Sequence, residues 1–367
     1  MFATTFFVSA ATLAADSTVE SRLAALETRL ASLETENAHL RTRLGKHSPA
    51  MRPDAPSASV GPKVKALKVS GYSQIHAEFG GAPDERRQGT DARIFIRRDD
   101  IALRGDLGHD FSFTLEAELS SGSSGEKSGH TPRLTDAYVA WALAEDFKVQ
   151  IGQFKSPFGR AQLGSNTKFP LIERPLASDR LTVGRQVGVA LMGQVGESIP
   201  LAFNIGIFNG TGANKSFTVN SQFMTAGRVV AQLWQQNQNN WEVAANAFHY
   251  DPSQVGSAQR VGWGLDTRIK LGAFTTEAEY LRSEYDEPGS PEYRAEGWWI
   301  STQWQGVVHY GVYDSFTNLP GDASLLLTLG VHYLLSGDDI KLSLNYLHGD
   351  ASLGIGDRLL GRLQVKF

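Results

Sequence analysis

Residues 155–183 read KSPFGRAQLGSNTKFPLIERPLASDRLTV, in which Lys155, Arg160, Lys168, Arg174 and Arg180 face only Glu173 and Asp179. A surplus of positive charge held beside a water path attracts anions and sorts them from cations without any bond being made or broken. A second basic group, Arg97, Arg98 and Arg104, lies in the run IFIRRDDIALRG, and Lys148 stands apart from both. Residues suited to covalent chemistry are sparse by comparison. The nine histidines occur singly, and His76, His249, His309, His332 and His348 have no serine placed to form a triad; no GxSxG, HxxxH or HExxH spacing occurs. With no cysteine, thiolate metal sites, disulfides and Cys nucleophiles are excluded. The glycine-rich SSGSSGEKSGH at 120–130 lacks the GxxxxGK[ST] order of a phosphate cradle and reads as a flexible loop. The expected chemistry is electrostatic: no enzyme activity, no cofactor, no metal and no nucleic-acid partner.

The elements that must position these charges are strands. Glycine supplies 37 of 367 residues, about 10% against a usual ~7%, and no stretch approaches the ~18 apolar residues of a spanning helix. From residue 66 the hydrophobic period is two. Phe111, Phe113, Leu115, Ala117 and Leu119 alternate with Ser112, Thr114, Glu116 and Glu118, and Val261, Trp263, Leu265, Ile269 and Leu271 alternate with Asp266, Arg268 and Lys270. Sixteen such segments occur, at 66–79, 92–104, 110–120, 133–144, 147–154, 184–194, 200–209, 223–234, 241–250, 261–271, 274–284, 296–305, 307–316, 324–335, 339–348 and 357–367. Most have about ten residues, the length at which a tilted strand crosses a bilayer.

The odd-numbered connections (80–91, 121–132, 155–183, 210–222, 251–260, 285–295, 317–323 and 349–356) are long and polar, whereas the even ones are mostly short. Only a membrane barrel with short periplasmic turns and long external loops accounts for that segregation. Aromatics near strand ends, namely Tyr72, Phe79, Trp141, Trp234, Trp241, Trp263, Tyr280, Trp298, Trp304, Tyr333 and Tyr346, are expected to form interfacial girdles. The expected fold is all-β: a 16-stranded antiparallel transmembrane β-barrel over 66–367, with an N-terminal α-helical coiled coil.

The N-terminal region has three parts. Residues 1–15 are apolar and end in small residues, like the core and cleavage region of a secretory signal, though its basic flank is missing. Over 17–44, Leu23, Leu26, Leu30, Leu33, Asn37, Leu40 and Leu44 form a heptad seam, which predicts self-association without choosing between dimer and trimer. Residues 45–65 form a proline-rich linker. An even strand count puts both barrel termini on the short-turn side, where a periplasmic coiled coil belongs.

The lumen of so wide a barrel holds water, and the longest connection is the candidate to fold inward and narrow it. If Ile101 and Leu103 face lipid, then Arg98, Asp100 and Arg104 face the lumen, as does Lys148, along with the acids Glu116, Glu118, Glu277 and Glu279. Ile94 and Ile96 share the parity of Arg98, so a bulge or phase change is expected near 96–99.

The paired arginines before an alternating strand, VQIGQFKSPFG (149–159), LIERPLASDR (171–180), GRQVGVALMG (184–193) and IGIFNG (205–210) together resemble the phosphate-selective porin O and P family from residue 66 to the end. The resemblance implies a trimeric sixteen-strand outer-membrane barrel of a Gram-negative bacterium that passes phosphate or polyphosphate through an Arg- and Lys-lined constriction. It matches Arg97 and Arg98 to the family's paired arginines and puts Lys155 in its inward loop. The final strand, ending on Phe367, resembles the signal read by the outer-membrane assembly machinery. One departure stands out: the best-known members carry a ladder of arginines before the eighth strand, where residues 211–234 hold only Lys215 and Arg228. The expected function is passive diffusion of small anions past Arg97, Arg98, Arg104, Lys148, Lys155, Arg160, Lys168, Arg174 and Arg180. A general, weakly selective porin and a structural or adhesive barrel are the alternatives. Expected partners are outer-membrane lipid, further copies of the chain and small anionic solutes.

Overall fold

The computed structural model describes residues 24, 27–29, 31–36 and 38 and, from residue 64 onward, all but 84–85, 87–91, 121–130, 220, 252–258, 287–290, 318–322 and 352–353. The chain divides into two units, Met1–Gly61 and Pro62–Phe367. In the first, the described residues are helical and exposed; Thr28 and Thr35 each donate their hydroxyl to the carbonyl four residues back, at 2.7 Å. Leu33 of the expected seam is 54% exposed. The signal-like segment, the other seam residues and the linker up to residue 63 lie outside the described residues.

The second unit is a closed barrel of sixteen antiparallel strands. The first eight are β1 Ala66–Gly80, β2 Arg93–Gly108, β3 Phe111–Glu118, β4 Arg133–Ala144, β5 Phe147–Lys155, β6 Arg185–Val195, β7 Leu201–Phe208 and β8 Met224–Gln236. The rest are β9 Asn239–Tyr250, β10 Gln259–Leu271, β11 Phe274–Asp286, β12 Tyr293–Gln303, β13 Gly306–Asp314, β14 Ser324–Ser336, β15 Ile340–Ala351 and β16 Gly354–Lys366. Every strand pairs with its sequence neighbours, and β1 closes on β16 from Tyr72↔Lys366 to Gly80↔Arg358. Closure gives every strand a partner on both sides, which is what a backbone needs in a medium without water.

Burial is inverted relative to a water-soluble protein. Gln74, His76, Glu78, Arg98, Asp266, Glu279, Lys341, Asn345, Arg362 and Gln364 are buried, while Ile75, Ile94, Leu265, Ile300, Leu344 and Tyr333 are exposed. Period-two alternation produces this pattern when the outer solvent is hydrocarbon and the inner face is polar. Trp141, Trp234, Trp241, Trp263, Trp298, Trp304 and Tyr346 belong to the exposed outer set. Tyr72 does not. It shares the parity of Gln74 and faces the lumen, where its hydroxyl accepts from Asn166 Nδ2 at 3.1 Å.

The even connections are tight. His109 and Asp110 both take positive φ (53° and 64°), the type I′ geometry whose twist matches a hairpin. Among the odd connections the expected long final loop is corrected: β15 and β16 remain paired to Ala351↔Gly354, because the polar residues read as a loop continue the ladder. The phase change expected near 96–99 is a β-bulge. Gln74 pairs with Arg98 but Ile75 pairs with Ile96, so Arg97 is the extra residue. The insertion turns both Arg97 and Arg98 inward while Ile94 and Ile96 remain outside.

Candidate functional site

The connection between β5 and β6 folds into the barrel and carries two short helices, α1 (Arg160–Leu163) and α2 (Leu176–Leu181). Its apolar residues dictate where it lies. Phe158, Ala177 and Leu181 join a core with Phe154, Phe208, Phe248, Leu281 and Ala295 from the wall, and Phe158 meets Phe248 edge-on at 4.7 Å between centroids. On the other side Ile172 packs with Leu326, Leu347 and Leu360. Gly159 enters α1 at φ 83°, and a Cβ there would lie 2.5 Å from Thr182 Cγ2. Gly159→Ala is expected to cost more than about 1 kcal/mol, read as a lower denaturant midpoint of the folded barrel.

Polar anchors complete the attachment. Glu173 accepts from Arg97 Nε at 2.7 Å, from Arg97 Nη2 at 3.2 Å and from Arg98 Nη2 at 3.2 Å. Arg160 Nε reaches Asp266 at 2.6 Å and its Nη2 lies 2.7 Å from Glu242, while the same Asp266 binds Arg228 at 2.5 and 2.8 Å. Burial alone would depress the Arg160 guanidinium, but Asp266 and Glu242 outweigh it and raise its pKa. Glu279 accepts from Ser178 Oγ at 2.6 Å, from Trp299 Nε1 at 2.9 Å and from the Arg160 backbone N–H. Thr167 O takes Lys341 Nζ at 3.0 Å and Gln364 Nε2 at 3.1 Å, and Ile172 N donates to Asn345 at 2.8 Å. The connection thus touches β14–β16, β1 and β2 on one side of the barrel and β9–β13 on the other.

The nine basic residues singled out from the sequence therefore divide by environment. Arg97, Arg98 and Arg160 are clamps on carboxylates. Arg174 is a staple inside the connection, donating to Ala161 O at 2.9 Å and Gly164 O at 3.4 Å. Burial, helped by Arg98, lowers its pKa to about 10, which still leaves it cationic at neutral pH. Lys168 and Arg180 are exposed on the connection. Arg104 faces the lumen half-exposed, bonded to Ser70 at 2.8 Å and Glu116 at 2.7 Å. Lys148 lies near the short-turn end, on a cavity of about 490 Å³ shared with Asp146, Met192, Asn204 and Arg228; no residue of the inward connection lines it. The structure does not bring Lys148 and the connection together.

A polar cavity of about 350 Å³ remains between the connection and the wall, bordered by Tyr72, Asp100, Arg104, Glu116, Lys155 and Arg185. Asp136 and Lys366 also reach it. Arg185 binds Asp136 at 2.8 Å, and Lys366 binds Asp339 at 2.7 Å. Lys155 differs: its ammonium donates to the carbonyls of Gly164 at 2.9 Å and Leu163 at 3.4 Å and forms no ion pair with a described carboxylate. Strand parity alone marks Lys366 as lumenal. Arg185 shares the parity of the outward Val189 and Leu191, so alternation alone would turn it away from the lumen, and only its ion pair with Asp136 at the strand's end shows its place.

A lumen of this kind inside a sixteen-strand barrel defines an outer-membrane porin, a channel rather than an enzyme class. The profile of the phosphate-selective porin O and P family matches residues 69–367, and the chain belongs to that family. An uncharacterized protein of Aquifex aeolicus is 24% identical over 307 residues, covering 70% of this chain and 74% of the relative. Among solved structures the fold is similar to that of an anion-selective porin from Comamonas acidovorans, at TM-score 0.59 and 13% identity over 82% of this chain and 99% of that one. It is also similar to Salmonella typhi OmpF in complex with daunomycin (TM-score 0.57, 12% identity, 82% and 97%) and to the trimer form of Vibrio cholerae OmpT (0.56, 10%, 82% and 99%).

Proposed function

We propose that this porin passes small anionic solutes, inorganic phosphate among them, down their gradients through the space between the inward connection and the β1–β6 wall. The observation that carries this reading is the basic lining of that space, where the Lys155 amine donates to carbonyl oxygens and makes no ion pair with a described carboxylate. Arg104, Arg185 and Lys366 add positive charge to the same wall, each compensated by an acid, so the preference for anions is modest. The missing arginine ladder supports weak capture over tight phosphate binding. The chain assembles as a trimer in the outer membrane with lipid around it, as the family and the trimeric OmpT relative suggest. Residues 17–44 form its periplasmic coiled coil behind the 45–65 linker, residues 1–15 serve export, and the Phe367 end is read during assembly.

Planar-bilayer recording in a KCl gradient tests the reading. An ammonium attracts an anion 4 Å away by about 1 kcal/mol in bulk water, so Lys155→Met should lower the anion-to-cation permeability ratio by up to about five-fold. An unchanged reversal potential would remove Lys155 from the path and leave a general, weakly selective pore. Absence of any conductance from the wild type would favour a structural barrel.

A further inference from the structure

Beneath the inward connection, Arg362 on β16 and His76 on β1 are direct cross-strand partners, and both side chains face the lumenal side. Arg362 is 2% exposed. Its Nη1 has only distant contacts with the carbonyls of Leu171 and Ile172, at 3.5 and 3.4 Å. Its Nε and Nη2 have no hydrogen-bond partner, and it makes no ion pair with a described carboxylate. His76 Nδ1 lies 3.7 Å from Glu173, while its buried Nε2 has no hydrogen-bond partner either. Arg98 stands one strand away, opposite Gln74, and shares Glu173 with Arg97. Arg97 and Arg98 thus take up the one loop carboxylate, while on the two opposed residues the guanidinium donors Nε and Nη2 of Arg362 and the ring nitrogen Nε2 of His76 have no hydrogen-bond partner.

A buried guanidinium without a counter-charge is strongly unfavourable, and unsatisfied donors in a native interior mark a bound water or ion. Directly opposed residues have Cβ atoms about 5 Å apart, so the free N–H groups of Arg362 and, with the ring protonated at Nε2, the Nε2–H of His76 can be directed at one point. We infer that Arg362 and His76 hold a resident anion of halide size against β1 and β16. Its role is that of a counter-ion seating the connection near Leu171–Glu173, off the permeation path, because the site is closed to solvent. A halide needs only convergent N–H donors, whereas a phosphate needs room for four oxygens.

The test uses the full-length porin in detergent, with bromide as the probe. Crystals grown in bromide should show an anomalous peak in contact with Arg362 and His76. Thermal unfolding at constant ionic strength should shift upward with bromide in the wild type, as for any ligand bound only by the folded state. In Arg362→Gln, which loses two charge-assisted bonds, half-saturation should weaken by about ten-fold or more. His76→Phe should weaken it less while leaving the barrel intact, and keeps the reading testable if Arg362→Gln does not fold. An ordered water at Arg362 in bromide-grown crystals, or an equal bromide response in wild type and variants, would overturn the inference. Inorganic phosphate producing the same shift at lower concentration than bromide would replace the halide by an oxyanion and overturn the size argument.

Discussion

Replacing Glu173 by Gln should lower the unfolding free energy of the barrel by about 3–5 kcal/mol, the cost of removing one partner from a buried ion pair. Gln keeps the volume and one acceptor oxygen but removes the charge that Arg97 and Arg98 share. Both guanidinium groups are largely shielded from water, so their charge is not screened as a surface charge would be. Functionally, loss of a negative charge from the inward connection should move the reversal potential toward anions. Denaturant unfolding in detergent and bilayer recording read the two effects separately. Normal unfolding with a normal reversal potential would mean that the connection is seated elsewhere and that the bulge-made arginine pair does not clamp it.

The second large effect is expected at Asp266, whose fully buried carboxylate lies between Arg160 and Arg228. Among the described residues it is the only carboxylate paired with Arg228, whereas Arg160 keeps Glu242 at 2.7 Å and Glu277 at 3.6 Å. Asp266→Asn therefore strands Arg228 more than Arg160 and should also cost about 3–5 kcal/mol. Adding Arg228→Gln to that background should recover much of the loss, because the pair then becomes neutral on both sides. A double-mutant cycle isolates this coupling; simple additivity of the two single changes would refute it. Open-channel noise should rise in Asp266→Asn, since the first turn of the connection loses an anchor next to Phe158.

These anchors explain how a loop with surplus positive charge avoids becoming a uniformly cationic ring. Arg160 and Arg174, conspicuous in the sequence as candidate anion ligands, are spent on holding the connection in place. What lines the cavity between the connection and the wall is Lys155 on carbonyl oxygens, with Arg104, Arg185 and Lys366 beside acids. A mixed wall of this sort orients and sorts charged solutes without trapping them, which suits fast diffusion better than high-affinity capture.

The sixteen strands and their lumenal parity were legible from residue order alone, because period-two alternation is a local property that each strand displays without reference to any other. Phe111–Leu119 and Val261–Leu271 announce their two faces within a dozen residues, and the clash of Ile94 and Ile96 with Arg98 announces the bulge. The tertiary structure decided everything that depends on which strands stand opposite one another across the lumen. Asp266 meets Arg160 from 106 positions away, Thr167 meets Lys341 from 174, and Glu173 reaches back to Arg97. The same long-range geometry placed Lys148 apart from the connection and kept β15 and β16 paired to their ends. Charge count and spacing show that cations are present; whether each is a clamp or part of the solute path depends on the partner's position, and closure of the barrel around the inward connection is what sets that position.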